Sequence, residues 1–157
     1  MKNNFELPAH ILAIQGKTAN DVFQGSVANC FWATSYFYAP QLFPPKKLTG
    51  NEILKFLAEE FIQVEQPKKY DIFVIWSRSD PFISPDKVNV HFLSTYPQGF
   101  PFGLVVEHSG VLLDDDNVFQ KASPKADDPF EVIGKDSAFS TYLKMPWVCF
   151  TYHRRKI

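Results

Sequence analysis

One of the two cysteines stands where a helix is expected to begin. Asn29 is a residue type that caps helix N-termini, and the apolar run after it ends before Pro40, so the sequence predicts a helix from Cys30 to about Tyr38. A sulfur at this position lies near unpaired backbone N–H groups and the positive end of the helix dipole, and both favour the thiolate. Cys30 is therefore a candidate nucleophile, although a small buried core residue would give the same pattern.

A nucleophilic thiol needs a base, and the chain has 4 histidines that could supply one. His10 precedes the expected core, His153 belongs to a basic tail, and His91 alternates with apolar residues in a strand where it could face solvent. His108 lies in an apolar strand beside two small residues that leave room for a substrate. We therefore expect His108 to be the base.

Metal or disulfide chemistry is not expected. The second cysteine, Cys149, is flanked by apolar and aromatic residues and is predicted to lie in the core, and two cysteines form neither a disulfide framework nor a metal knuckle. The acidic run Asp114–Asn117 lacks the alternating oxygen ligands and the downstream Glu of a cation-binding loop. It is predicted to be a solvated turn, and no cofactor is implied.

The composition describes one globular domain over residues 1–157. With 16 basic and 17 acidic residues and a net charge of −1, the chain has no electrostatic signature of nucleic-acid or anionic-membrane binding. No apolar stretch approaches the roughly 20 residues of a transmembrane helix. The N-terminal residues lack the pattern of a secretion signal, so we expect either a cytoplasmic protein or one secreted after a signal has been removed. The oligomeric state stays open.

The elements that must position these residues follow from capping and periodicity. Thr49 and Glu52 have the spacing of a capping box, which predicts a helix with its apolar face extending to Phe61. The segment through Phe23 is interpreted as a loop with one short element. Strands are predicted at Ile72 to Trp76, Val88 to Leu93, Gly103 to Leu113, Val118 to Lys121 and Pro146 to Tyr152. Helices followed by an antiparallel sheet indicate an α+β fold.

The residues around Cys30 resemble the signature of the papain and calpain cysteine peptidases. In those families Gln-Gly is followed by four residues and then Cys-Trp; here the glutamine is Gln24, and Phe31 is inserted between Cys30 and Trp32. The resemblance implies that the Gln24 amide and the Cys30 backbone N–H form an oxyanion hole. It also places Trp32 at the substrate.

The stretch His108–Ser123 resembles the NlpC/P60 branch of the same superfamily, which has a histidine strand, an acidic turn and a following strand. In that branch a third polar residue stands twelve positions after the histidine, and here that residue is Gln120. Upstream, Tyr70 and Asp71 precede an apolar strand as Gly-Asp does in the family, with Tyr70 at the glycine position. The turn between the strands would bring His108 and Gln120 to cross-strand distance, about 5 Å.

These residues predict a papain-like, NlpC/P60-like α+β cysteine hydrolase with the triad Cys30, His108 and Gln120. A glutamine can orient the imidazole ring but carries no charge to stabilise the imidazolium. The resemblance implies peptide or isopeptide amides as substrates, with the stem peptides of bacterial peptidoglycan the most frequent in the branch.

Two alternatives stay open. Lipid-linked relatives in the superfamily hydrolyse or transfer acyl chains, and the many aromatic residues could line an acyl slot. A catalytically inactive binding module could instead use the aromatic, Pro-rich stretch Tyr96–Phe102 as its ligand surface. If the protein is an enzyme, the loop between Leu93 and Gly103 is predicted to gate the cleft.

Overall fold

A six-stranded antiparallel sheet organises the fold. The computed structural model describes residues 6–23, 27–41, 44–78 and 104–157. The strands are β1 (Phe61–Val64), β2 (Ile72–Arg78), β3 (Leu104–Leu112), β4 (Asn117–Lys121), β5 (Phe130–Gly134) and β6 (Val148–Arg155). Their order in the sheet is β1-β6-β2-β3-β4-β5, so the last strand of the chain lies between the first two.

The described helices pack on the two faces of this sheet. They are α1 (Ala9–Leu12), α2 (Ala19–Phe23), α3 (Cys30–Tyr38), α4 (Gly50–Glu60) and α5 (Lys135–Leu143). The larger of two apolar clusters joins α1 to α4 with one sheet face, and the smaller joins α5 with the other. The site residues of β3 and β4 therefore lie between two helical layers.

The α+β prediction is confirmed, and so are the two longer predicted helices. Asn29 caps α3, and Thr49 and Glu52 form the predicted capping box at the start of α4. Four of the predicted strands correspond to β2, β3, β4 and β6. The fifth, Val88 to Leu93, lies outside the described residues, as does the loop between Leu93 and Gly103.

Three elements were not predicted: β1, β5 and α5. Phe61 was expected on the apolar face of α4, but its backbone is extended (φ −130°, ψ 160°), and it ends the helix and begins β1. The order of helices before strands is wrong at one point, because α5 lies between β5 and β6. The first segment contains two short helices where one element was expected.

The interpretation of His153 as part of a basic tail is wrong. His153 lies in β6 and is 1% exposed, and its Nε2 forms a hydrogen bond with Thr151 Oγ1 at 2.8 Å. Trp76 Nε1 donates to the same hydroxyl at 2.9 Å. The period-2 alternation of β6 continues through the basic residues, so burial on one sheet face outweighs the local charge.

An ion pair between a buried carboxylate and a partly exposed guanidinium joins β6 to the start of β2. Arg154 Nη2 lies 2.7 Å from Asp71 Oδ2, and Arg154 Nε donates to the other carboxylate oxygen at 3.0 Å. The backbone N–H of Lys68 also donates to Asp71, which is 2% exposed. The aspartate of the Tyr70-Asp71 stretch therefore has a structural role.

Tyr70 adopts a backbone conformation that favours glycine. Its φ of 70° lies in the left-handed region, which costs a residue with a Cβ about 1 kcal/mol or more. The conformation is held by a backbone hydrogen bond from Tyr70 N–H to Leu112 and by the Tyr38 hydroxyl, which donates to the Tyr70 carbonyl. This strained residue stands at the position where the NlpC/P60 pattern has glycine.

Replacing Arg154 with alanine is expected to lower the free energy of unfolding more than the loss of an exposed ion pair does, because the buried Asp71 carboxylate loses two charge-assisted hydrogen bonds. Urea denaturation measures this cost. Lys46→Ala is the control, since it removes an exposed ion pair with Glu52 and is expected to cost less than about 1 kcal/mol. Equal costs for the two variants would contradict the structural role of the Asp71–Arg154 pair.

Candidate active site

Cys30 is the first residue of α3, and a buried cap holds it there. The Asn29 side-chain oxygen accepts the backbone N–H groups of Trp32 at 3.1 Å and Leu48 at 3.2 Å. The Asn29 amide nitrogen donates to the Leu48 carbonyl at 2.8 Å. The cap therefore joins the start of α3 to the segment before α4, which fixes the direction in which α3 presents its first residue.

The expectation that helix geometry makes Cys30 a thiolate is wrong for the structure as it stands. Burial raises the pKa of Cys30 to about 11, although backbone N–H groups of Ser109, Phe31 and Cys30 itself act in the opposite direction. The side chain is covered where α3 packs against β3, and the residue is only 7% exposed. Desolvation of the charged form therefore outweighs the helix terminus, and Cys30 rests as a thiol.

A hydroxyl pair locks α3 onto β3 beside this thiol. Thr34 Oγ1 donates to the Cys30 carbonyl at 2.8 Å and lies 2.7 Å from Ser109 Oγ. A threonine hydroxyl has a single hydrogen, so Ser109 must be the donor in the second bond. The contact holds Ser109, the neighbour of His108, against the first turn of α3.

His108 and Gln120 are brought together by the hairpin of β3 and β4. His108 Nε2 lies 2.6 Å from Gln120 Oε1, and both residues are buried. The register pairs Val111 with Phe119, so the two side chains are diagonal neighbours across the ladder. The acidic run between the strands forms the predicted turn, in which Asp114 Oδ1 accepts two backbone N–H groups.

The backbone around His108 is irregular on both sides. Between β2 and β3 the register passes from Ile75–His108 to Trp76–Val106, which leaves Glu107 as an extra residue in a β-bulge. Between β3 and β4 the ladder stops at Val111 and Phe119. Ser109 pairs with Val74 of β2 but with no residue of β4, and its backbone N–H acts to lower the pKa of the nearby Cys30 thiol.

The His108 ring is neutral, and one of its two nitrogens has no hydrogen-bond partner among the described residues. Burial lowers the pKa of His108 to about 4, even though the hydrogen bond with Gln120 acts in the opposite direction. Nδ1 is buried and has no hydrogen-bond partner among the described residues. A buried ring nitrogen without a partner is unusual in a folded protein and is available to exchange a proton with an incoming group.

The structure adds Tyr142 to the site. Its ring stacks on His108 with centroids 5.1 Å apart and an interplanar angle of 11°. Burial raises the pKa of Tyr142 to about 12, and the negative charge of a Cys30 thiolate or of Glu107 would raise it as well. Tyr142 therefore covers the His108 ring. It lies on α5, which the sequence did not predict because that helix has only a short apolar face.

Glu131 is a second addition, on the unpredicted strand β5. It stands directly opposite Gln120 in the register, and Gln120 Nε2 donates to Glu131 Oε1 at 3.1 Å. The short β-branched run between Pro129 and Gly134 was the available signal for this strand. His108, Gln120 and Glu131 thus form a hydrogen-bonded row across three adjacent strands.

The predicted site residues are only partly assembled. No hydrogen bond joins Cys30 to His108, because successive side chains of β3 point to opposite faces. Ser109 faces α3, whereas the His108 ring faces Tyr142 on α5. The Ser109 backbone nevertheless acts on the pKa of the Cys30 thiol, and Ser109 is the residue that follows His108 in β3, near the point where β3 and β4 separate.

The papain signature also predicted roles for Gln24 and Trp32. Gln24 lies outside the described residues. Trp32 was predicted to lie at the substrate, but its side chain is fully buried, stacked on Tyr36 at 4.5 Å and packed against Phe130. In this structure Trp32 is a core residue, because the third residue of α3 faces the layer formed with α2 and β5.

A buried cation lies near the thiol. Lys121 is 0% exposed, and its Nζ donates to the backbone carbonyls of Ser123 at 2.5 Å and Lys125 at 2.6 Å. Its positive charge helps to lower the pKa of Cys30. Within the described part of the chain, no group of three His, Cys, Asp or Glu side chains is placed to hold a metal ion.

No family model matches this chain, and neither the curated proteins nor the solved structures contain a match. Among the described helices, none has the length and apolar character needed to cross a membrane.

Removing the Thr34 hydroxyl is expected to loosen the contact between α3 and β3. Thr34→Val leaves Ser109 without its buried acceptor, which should cost about 1 to 3 kcal/mol of unfolding free energy in urea denaturation. Ser35→Ala is the matched control, because the Ser35 hydroxyl also donates to a carbonyl of its own helix but forms no hydrogen bond with the described residues of β3. A larger loss of unfolding free energy for Ser35→Ala than for Thr34→Val would contradict a stabilising role for the Ser109–Thr34 hydrogen bond between β3 and α3.

The low pKa of His108 predicts a loss of stability in acid. The unfolded chain takes up a proton near the ordinary histidine pKa of about 6.5, whereas folded His108 stays neutral until about 4. The unfolded state therefore binds more protons between these values, and the contribution of His108 should fall by about 3 kcal/mol from pH 7 to pH 4. The difference in unfolding free energy between wild type and His108→Phe, measured across this range, isolates the effect. A difference independent of pH would contradict it.

Proposed function

We propose that this protein is a cysteine hydrolase of the papain-like, NlpC/P60-like type, which cleaves amide bonds through an acyl-enzyme on Cys30. The observation that carries the proposal is the state of His108. This ring is buried and neutral, Gln120 engages one of its nitrogens, and the other nitrogen has no partner among the described residues; the next residue of β3, Ser109, contacts the first turn of the helix that begins with Cys30. A general base for a thiol needs a ring nitrogen that is free to take the proton and a polar partner that orients the ring, and His108 has both.

In the proposed reaction the Cys30 sulfur attacks the amide carbonyl carbon, and the S–H proton passes to His108 Nδ1. A C–S bond forms, and the carbonyl oxygen becomes a tetrahedral oxyanion. The imidazolium then gives the proton to the leaving nitrogen as the C–N bond breaks. Water attacks the thioester with His108 as base, which releases the carboxylic acid and restores the thiol.

Because thiol and imidazole both rest uncharged at neutral pH, the proton must move as the sulfur attacks. This differs from an enzyme that keeps a preformed thiolate–imidazolium pair. Nearby backbone N–H groups favour negative charge on the sulfur, and Lys121 adds a buried positive charge. These groups stabilise charge that develops in the transition state.

The oxyanion needs its own donors. The backbone N–H of Cys30 lies at an uncapped position in the first turn of α3, where helix N–H groups lack intrahelical acceptors. In the papain pattern the second donor is the amide of the glutamine six residues earlier, which corresponds to Gln24. Both roles are proposals carried by the resemblance.

The site is closed to substrate in this conformation. His108 is 1% exposed and Cys30 is 7% exposed. The Tyr142 ring lies flat on His108 from the side of α5, and β3 and β4 already separate beside the sulfur. We propose that a shift of Tyr142 admits the scissile carbonyl and lets the thiol turn toward Nδ1.

Further support comes from two positions of the NlpC/P60 pattern. Gln120, twelve residues after His108, forms the expected hydrogen bond with it. Tyr70, at the glycine position, has the positive φ that glycine adopts most easily. Gly110 has no room for a side chain, since a Cβ there would lie 2.6 Å from the Phe73 ring.

A binding module is the second candidate. The raised pKa of Cys30 and its low exposure are what an inert core cysteine would show. The acyl-slot alternative has weaker support, because Phe31 and Trp32 are buried core residues. Reaction of Cys30 with an acylating reagent separates the enzyme from the module.

The test is a burst assay with p-nitrophenyl acetate, which needs no knowledge of the natural substrate. The wild-type protein is expected to release about one p-nitrophenolate per chain in a fast phase, as Cys30 is acylated. Cys30→Ala should abolish this phase, and His108→Ala should slow it by about a hundredfold or more. The rate should fall as the pH drops through about 4, where His108 gains its proton.

Cys149→Ser is the matched control, since it removes the other thiol and should leave the burst intact. A burst that survives in Cys30→Ala, or no burst in the wild type, would contradict the hydrolase and favour the binding module.

A further inference from the structure

Glu131 extends the site beyond its proposed triad. It lies on β5 directly opposite Gln120 on β4, so the two side chains leave the sheet at neighbouring points. Gln120 Nε2 donates to Glu131 Oε1 at 3.1 Å, while Gln120 Oε1 faces His108 Nε2 at 2.6 Å. We infer that Glu131 is a positioning residue that sets the tautomer of His108 by holding the Gln120 amide in one orientation.

The hydrogens that each group can donate decide the orientation of the Gln120 amide. A carboxylate at neutral pH accepts hydrogen bonds and donates none, so the end of Gln120 that faces Glu131 must be its NH₂ group. The carbonyl end of the same amide must then face His108. An amide oxygen only accepts, so His108 Nε2 must carry the hydrogen in this bond.

A hydrogen on Nε2 determines the state of the other ring nitrogen, Nδ1. A neutral imidazole has one N–H group, and if Nε2 carries it, Nδ1 has a free lone pair. Nδ1 is the buried atom without a partner among the described residues. The row from Glu131 through Gln120 thus leaves His108 in the only neutral form that can accept a proton at Nδ1.

Glutamine alone would not achieve this. Its two ends have almost the same shape, so an isolated Gln120 could turn its NH₂ group toward Nε2. That orientation would favour the tautomer with the hydrogen on Nδ1, which cannot take the thiol proton. A carboxylate in the third position would impose the correct tautomer by itself, whereas a glutamine needs a further acceptor, and Glu131 provides it.

This inference rests on the proposed function for its catalytic meaning, but its structural claim can be read without any substrate. The ¹⁵N chemical shifts of histidine-labelled full-length protein at pH 7 report which ring nitrogen carries the hydrogen. The wild type is expected to show His108 with a protonated Nε2 and an unprotonated Nδ1. His108→Phe identifies which signals belong to this ring.

Two variants of Glu131 remove the carboxylate that orients the Gln120 amide and keep a side chain of similar size. Glu131→Gln offers both a donor and an acceptor to Gln120, and Glu131→Leu offers neither. Both are expected to give a mixture of His108 tautomers and to slow the acylation of Cys30 about tenfold, less than the roughly hundredfold loss that a misplaced catalytic group causes. Glu131→Asp, which keeps the carboxylate, should retain the Nε2–H tautomer and rescue part of the rate.

Glu107→Gln is the matched control. Glu107 is the neighbour of His108 in sequence, but its carboxylate accepts from the Ser77 hydroxyl. Neutralising it removes one negative charge near the site without touching the row, so the tautomer should not change.

The outcomes distinguish the two proposals. A wild-type His108 protonated on Nδ1, or a tautomer unchanged in both Glu131→Gln and Glu131→Leu, overturns the role of Glu131 even if Cys30 is acylated normally. A tautomer that shifts in both variants supports that role, even if the wild type shows no burst and the hydrolase proposal fails.

Discussion

The hydrogen bond between His108 and Gln120 is the interaction on which the rest of the site depends. It is 2.6 Å long and buried, and it joins two strands at the point where their own ladder has ended. The turn at Asp114 sets the offset of the strands, the bulge at Glu107 adjusts β3 beside the histidine, and β5 supplies the carboxylate behind the glutamine. Together these features hold the His108 ring at one position and in one orientation.

Burial is the second constraint, and it favours the uncharged form of both Cys30 and His108. It raises the pKa of Cys30 to about 11 and lowers the pKa of His108 to about 4, which keeps both groups uncharged. A closed, low-dielectric site strengthens the effect of fixed dipoles once charge develops. It also means that the resting conformation protects the thiol, and that the chemistry we propose requires an opening on the side of Tyr142.

The sequence was most informative where structure is determined locally. Asn29 and the Thr49–Glu52 box end in backbone hydrogen bonds within three residues, so α3 and α4 could be predicted from their caps. The hairpin of β3 and β4 has a turn between two apolar runs, and the spacing of twelve residues from His108 to Gln120 follows from it.

What depends on tertiary packing could not be predicted. The edge strand β5 has only five residues and α5 has little apolar periodicity, so Glu131 and Tyr142 were missed along with the elements that carry them. The pKa of Cys30 was expected to be lowered, but it is raised. A helix terminus can be recognised in the sequence, whereas the burial of the thiol against β3 cannot. His153 was misassigned for a related reason: the strand that pairs with both β1 and β2 lies at the charged end of the chain.

The most direct test of the account is to trap the acyl-enzyme. Wild-type protein mixed with an activated acyl ester, quenched in acid during the fast phase and digested, should carry one acyl group on the peptide that contains Cys30. The same peptide from His108→Ala should be almost unmodified at the same time point. Acyl groups distributed over lysines or on Cys149, with Cys30 unmodified, would contradict the claim that Cys30 and His108 act together as a nucleophile and its base.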